Sequence, residues 1–329
     1  MRTKIIAEVA QGFEGSFNQS KLLIKAAAKA KADAVKFQLV FADELATKDY
    51  KYYKLFKNLE MTNHKWKLIS DYTKKLSIEL MVDIFGKKSL SLADKLGIKC
   101  IKIHGTDITN IQLLRLVSKS NVQTVILGIG GSKYEEIEKA TKILKNKKLI
   151  VLLGFQGYST KTEDNQISRI KTLLNKIDED VIFGFADHEI KENIKYTLPL
   201  IAIGFGAKII EKHITLGKVM QLEDYESALN PDEFKSFVDI VRSSEKAIGM
   251  SKDKSDFGMS NSEVEYSKKI RRHVVSAKKI LKGTIIKPEH LMLKRTSSKS
   301  SIQDLNKAYN KKIIRTIEKN QPINIKDLK

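Results

Sequence analysis

The chain has 329 residues, 60 Lys plus Arg against 39 Asp plus Glu for a formal net charge of +21, and 42% hydrophobic residues. That apolar fraction excludes wholesale disorder, and the length suits either two or three ordinary domains or one large α/β barrel with a small appendage. A single cysteine, Cys100, excludes an intramolecular disulfide and a Cys-rich metal site and fits a reducing compartment. The N-terminal MRTKIIAEVA has too short an apolar run for a signal peptide. No stretch approaches the roughly 18 apolar residues of a membrane span, so a cytoplasmic protein without membrane contact is expected.

In chain order, short β-branched or apolar runs alternate with amphipathic stretches. Strands are predicted over Ile5–Val9, Ala34–Leu39, Ile78–Asp83, Cys100–His104, Thr124–Leu127, Leu149–Leu153, Val181–Phe185 and Lys208–His213. Helical spacing is clear in Leu22, Leu23, Ala26, Ala27 and Ala30, and again in Trp66, Leu68, Ile69, Tyr72 and Leu76. Eight strand–helix repeats within residues 1–249 predict an α/β fold of the (β/α)8 TIM-barrel type; a doubly wound open sheet uses the same alternation and is the alternative. Residues 250–267 have no sustained apolar period and read as a linker.

The segment 268–329 carries its own repeat. Ile280-Leu281-Lys282-Gly283, then Ile286, then His290-Leu291, is matched 37 residues later by Ile317-Glu318-Lys319-Asn320, then Ile323, then Asp327-Leu328. Gly283 and Asn320 fall at the same step, and both residue types accept a left-handed turn. A small pseudo-symmetric domain is expected. It holds 18 Lys or Arg against 4 Asp or Glu, so two thirds of the excess charge sits in one fifth of the chain. A basic end of this kind suits nucleic acid or a small anion. Single-strand binders need an aromatic ladder, and Tyr309 is the only aromatic residue here, so nucleic acid is not the expected partner.

In a barrel the chemistry lies where strands end. Glu8 lies in the first strand, Lys36 and Gln38 point the same way in the second, and Asp83 ends the third. Lys102, His104 and Asp107 come at or after the fourth, Tyr158 follows the sixth, Asp187 and His188 end the seventh, and Glu211 and His213 end the eighth. His188 and His213 close neighbouring strands, a usual way to hold a divalent metal; the alternative is that each satisfies local hydrogen bonds. Lys36 in AVKFQL and Lys102 in CIKIHG are flanked by apolar residues, and two inward cations need an anion. A carboxylate or phosphate ligand meets that need, as does salt pairing to Glu8 or Glu211. The run Gly128 to Ser132 offers backbone amides to a phosphate, or is a plain tight turn.

The motifs IIAEVAQGFEGS, ADAVKFQ, IKIHGTD, ADHE and AKIIEKHIT followed by ALNPDEFK resemble, in order and spacing, the sialic acid (N-acetylneuraminate) synthase family. The C-terminal repeat, with LMLKR, is similar to the antifreeze-like (SAF) module that follows the barrel in that family. The resemblance implies condensation of phosphoenolpyruvate with an N-acyl amino sugar to a nonulosonic acid. It implies His188 and His213 as ligands of Mn2+ or Mg2+, Lys36 and Lys102 as donor-binding cations, and Glu8 and Glu211 as catalytic groups. Gln38, Tyr158 and Asp187 would contact substrate, and Arg295 would reach the acyl sugar of a partner subunit in a domain-swapped homodimer.

The chain departs from the family pattern at Gly12-Phe13, at Val82-Asp83-Ile84, at Gly105, at Gly128-Ile129-Gly130 and at Ala186. The resemblance implies that several hydroxyls holding the donor phosphate are thereby missing, with Thr106 and the amides of Gly130 and Gly131 as candidate replacements if the same donor is bound. Asp83 puts a carboxylate beside the expected phosphate, which is repulsive unless it binds metal or is protonated. A metal-dependent aldolase using another donor, and a non-catalytic protein that binds anions or glycans, are the alternative functions.

Overall fold

In the computed structural model, which describes residues 2–157, 160–177, 180–249 and 258–329, all eight predicted strands are present with ends within two residues of expectation. They are β1 (Lys4–Ala10), β2 (Ala34–Gln38), β3 (Glu79–Ile84), β4 (Cys100–Ile103), β5 (Thr124–Gly128), β6 (Lys148–Leu153), β7 (Ile182–Asp187) and β8 (Ile209–His213). Each pairs in parallel with the next, and β1 also pairs with β8, with Lys4 opposite Ile209 and Glu8 opposite His213. That last pairing closes the sheet and decides for the barrel against the open sheet.

Alternation along each strand sorts its side chains. Ile6, Ala34, Met81, Cys100, Ile126, Ile150, Leu152, Ala186 and Ile209 come from all eight strands and pack on one another, which places them inside the barrel. Their strand neighbours, such as Ile5, Ala7, Val35, Phe37, Val82, Ile101 and Ile210, pack outward against the helices. Cys100 is therefore an interior filler, and burial pushes its thiol up to about 12, which leaves it unreactive.

The outer ring is made by helices Phe17–Lys29, Asn63–Lys75, Lys87–Lys95, Ile111–Lys119, Tyr134–Ile143, Arg169–Leu174, Thr197–Gly204 and Pro231–Ile248. Several begin on a side chain that accepts an otherwise unpaired amide, as Ser16 does from Gln19, Thr62 from Lys65 and Asn110 from Leu113. Behind β1 and β2, Phe13, Phe37 and Trp66 meet edge to face with centroids 5.6 to 6.1 Å apart. Among the described residues no helix is long and apolar enough to cross a membrane.

Contacts divide the chain into two units, residues 1–249 and 250–329. Asn261–Ile270, which runs from the expected linker across its boundary at residue 267, is a helix capped by Ser260, whose hydroxyl accepts from the Glu263 amide. None of its residues is buried, which is why it leaves no apolar period in the sequence.

The 37-residue repeat is realised bond by bond. Ile280 and Ile317 exchange both backbone hydrogen bonds at 2.9 Å, as a residue and its own counterpart do across a local two-fold axis. The Gly283 amide donates to Ile313, and its counterpart Asn320 donates to Ser276; Ile286 donates to Lys311, and Ile323 to Val274. Gly283 (φ 91°) and Asn320 (φ 65°) both take the left-handed turn the sequence predicts. The two-stranded sheet of β9 (His273–Ser276) and β10 (Leu291–Lys294) accompanies this core, in which Val274, Ile280, Ile286, Ile313, Ile317 and Ile323 are buried.

Candidate active site

Two residues beyond the apolar interior layer, the same strand faces turn polar. Ile6 is followed by Glu8, Ala34 by Lys36, Met81 by Asp83, Cys100 by Lys102 and Ile209 by Glu211. All five are buried, and the pairings Glu8 opposite Lys36 and Asp83 opposite Lys102 set them side by side. Lys36 Nζ contacts Glu8 Oε2, lies 2.5 Å from Asp83 Oδ1 and 3.5 Å from Glu211 Oε2. Lys102 Nζ lies 2.6 Å from Glu211 Oε1 and 3.9 Å from Asp83 Oδ2. Salt pairing within the protein thus answers the two inward lysines, and Asp83 takes a larger part in it than the sequence suggested.

Three carboxylates share two ammonium groups away from water, so one negative charge is left without compensation. Burial, reinforced by Glu211 and Asp83 against the pull of Lys36, raises Glu8 to about 8. Burial also acts upward on Glu211, but Lys102 and Lys36 outweigh it and hold that group down to about 2. Near neutrality Glu8 holds a proton and Glu211 does not. A bulge follows Glu8: Ala10 takes φ 49°, the register with β2 slips, and the Ala10 amide donates to Glu8 Oε1 at 2.7 Å.

The His188 and His213 rings are 5.2 Å apart at the mouth. Burial lowers both, His213 to about 3 and His188 well below its ordinary value with the neighbouring His213 contributing, so both are neutral imidazoles. His188 Nδ1 is sealed from solvent and has no hydrogen-bond partner among the described residues. Two neutral rings, one with an orphaned nitrogen, are able to offer nitrogen donors to a divalent ion. Among the described residues no group of three or more His, Cys, Asp or Glu is arranged to hold a metal ion.

Above this layer opens a cavity of about 1080 Å³ lined by Glu8, Gln38, Asp83, Lys102, Glu211 and both histidines, among others. Gln38 accepts from Gln11 Nε2 at 2.9 Å. Thr106, Gly130 and Gly131 line the same space. Three glycines at the mouth have a steric cause. A Cβ on Gly105 would meet Gly130 O at 2.8 Å, one on Gly130 would meet Gly154 O at 2.4 Å, and one on Gly154 would meet Ala186 O at 2.2 Å. The backbones of four successive strand ends approach one another closely here, which leaves no room for a side chain at Gly105, Gly130 or Gly154.

Residues 23–253 match the NeuB family. The chain belongs to the NeuB family. It is 28% identical to the N,N'-diacetyllegionaminic acid synthase of Legionella pneumophila, over 88% of this chain and 85% of that protein. It is 30% identical to the pseudaminic acid synthase of Campylobacter jejuni, over 89% of this chain and 87% of that one. Among solved structures, the sialic acid synthetase of Leptospira borgpetersenii, in complex with citrate, superposes with a TM-score of 0.74 at 30% identity, over 82% of this chain and 93% of that chain. As a NeuB-family member the chain is a transferase of the synthase type, forming a carbon–carbon bond.

Not every site residue expected from the sequence reaches the NeuB cavity. Asp187 is turned out of the barrel: its Oδ2 pairs with the fully buried Lys212 at 2.7 Å and its Oδ1 accepts from the Glu189 amide at 3.0 Å. The reason is parity, since Ala186 and Glu211 take the inward positions on β7 and β8 and their neighbours Asp187 and Lys212 face the opposite side. Lys36 is 0% exposed and is not among the residues that line the cavity. Tyr158 lies outside the described residues. Arg295 is exposed in the second unit, just after β10.

Sequence reasoning missed Gln11, Asp224 and an apolar wall of Leu45, Tyr50, Phe56, Phe85 and Phe155 that also lines the cavity. Most of them lie in loops after strands, where no periodicity marks them, and their only signal is position beyond a strand's C-terminal end.

Proposed function

We propose that this NeuB-family enzyme is a nonulosonate synthase that joins C3 of phosphoenolpyruvate to the aldehyde carbon of an open-chain N-acyl amino sugar, adds water at C2 and releases inorganic phosphate. The observation that carries the reading is the buried Glu8, Lys36, Asp83, Lys102 and Glu211 layer placed beside two neutral histidines at the C-terminal mouth of the barrel. The named synthases among its relatives support the same class of reaction.

His188 and His213 would hold a divalent ion, Mn2+ or Mg2+, and such an ion when bound supplies Lewis-acid polarisation of the aldehyde oxygen. Lys102, the lysine that reaches the cavity, attracts the anionic end of the donor, helped by the Gly130 and Gly131 amides. Glu8 arrives protonated near neutral pH and is the group matched to giving a proton to the oxygen that becomes a hydroxyl. Glu211 stays ionised; it fixes Lys102 and orients the water that adds at C2, and being held at about 2 it is a poor base. Gln38, tied to Gln11, offers its amide to the sugar hydroxyls. The exclusion of solvent from this layer strengthens each of these interactions.

The pseudo-symmetric second unit is read as the antifreeze-like module of the family, with Arg295 as a guanidinium for an acyl carbonyl. The test is to supply phosphoenolpyruvate, an N-acyl amino sugar and Mn2+, and to measure phosphate release together with product mass. One phosphate per nonulosonic acid, with no phosphate when either substrate is withheld, is the expected result. Binding of anions without any turnover across a panel of acyl sugars would overturn the reading.

A further inference from the structure

The polar layer contains one residue that the synthase chemistry does not call for. Asp83 is 1% exposed and stands between both inward lysines, its Oδ1 at 2.5 Å from Lys36 and its Oδ2 at 3.9 Å from Lys102. Strand register holds it there, with Gln38 opposite on one side and Lys102 on the other. Asp83 lines the cavity, whereas Lys36 does not, so the carboxylate caps the ammonium group on the side from which a ligand would approach. Lys102 is the single Lys or Arg among the described lining residues, against seven Asp or Glu, in a chain whose net charge is +21. The wall that should receive an anionic donor is therefore already occupied by an anion of the protein's own.

Resting on the synthase reading above, we infer that Asp83 is a specificity-determining residue that competes with the donor for Lys36 and Lys102. A donor carboxylate or phosphate can use both lysines only by taking the place of Asp83, since two anions at one pair of cations repel each other. The resident carboxylate weakens the binding of highly charged donors and leaves the sugar end of the cavity untouched. Removing its charge should leave Lys36 with Glu8 and Glu211 as partners and turn it toward the ligand.

The test uses the full chain and two probes, phosphoenolpyruvate and inorganic phosphate, titrated calorimetrically into wild type, Asp83→Asn, Asp83→Ser and Asp83→Glu with no sugar present. The neutral variants are expected to bind each anion at least tenfold more tightly than wild type, while Asp83→Glu stays within threefold of it. In turnover the donor KM should fall by a similar factor, with the acceptor KM unchanged within twofold, a split that a purely structural role does not produce. Equal or weaker anion binding in either neutral variant that keeps the wild-type melting temperature would overturn the inference, as would absence of measurable binding in every form. A failure of the synthase reading shows separately, as wild type that binds anion but releases no phosphate from phosphoenolpyruvate with any acyl sugar.

Discussion

Glu8 and Glu211 are the same residue type at the same depth, and the division between them comes from their neighbours. Glu8 faces one lysine and two carboxylates, and Glu211 is held by both lysines. If protonated Glu8 is the active form, activity falls as pH rises through about 8, because the proton to be donated is then lost. In Glu8→Gln that alkaline limb should vanish and kcat should drop about 100-fold or more; a variant with wild-type kcat and an unchanged limb would remove Glu8 from the mechanism. Asp187 calls for the opposite signature. Breaking its fully buried pair with Lys212 by Asp187→Ala should cost about 3 to 5 kcal/mol, read by denaturant unfolding, with both KM values changed less than threefold. A large rise in acceptor KM at wild-type stability would restore the substrate contact expected from the sequence.

The strand ends and the turns that follow them are the elements that shape the site. Ala10 with φ 49° and Gly154 with φ 134° mark two ends where the backbone leaves ordinary strand geometry beside the cavity. Gly154→Ala must fit a methyl group against the Ala186 carbonyl in a strained conformation, and about 3 kcal/mol of destabilisation is expected. Gly97→Ala is the control: with φ 69° and nothing within 4 Å it should cost about 1 kcal/mol. Equal thermal shifts for the two would mean that the close approach of β6 and β7 carries no energy. The strands themselves were legible because they are buried on both faces and so read as short, nearly continuous apolar runs, and Glu8, Lys36 and Lys102 stood out as charges inside them. The helix Asn261–Ile270 was not, because an exposed helix has no apolar stripe to detect.

At the scale of the molecule, charge is distributed against its average. The chain is strongly basic, yet the charged residues that line its barrel cavity are mainly acidic, and the second unit carries most of the positive excess. The role proposed for Arg295 at a partner subunit's site is open to a mixing experiment. An Arg295→Ala chain combined with a His188→Ala chain should regain up to about a quarter of wild-type activity if each dimer formed at random exchanges its modules reciprocally. Activity no higher than either parent, in a sample where mixed dimers are demonstrated, would refute action in trans.

Local pattern alone determined the eight strands, the repeat near the C-terminus and the polar residues at strand ends, since periodicity and turn chemistry are properties of neighbouring residues. The partners of those residues were decided by closure of the barrel. Pairing of β1 with β8 brings Glu211 to Lys36 and Lys102, and the inward set on β3 places Asp83 between the two lysines. The same closure turns Asp187 outward to Lys212 although His188 beside it reaches the cavity. Charges that share a buried site come from strands up to 203 positions apart in the chain, Glu8 and Glu211, and no spacing in the sequence records which of them will face one another.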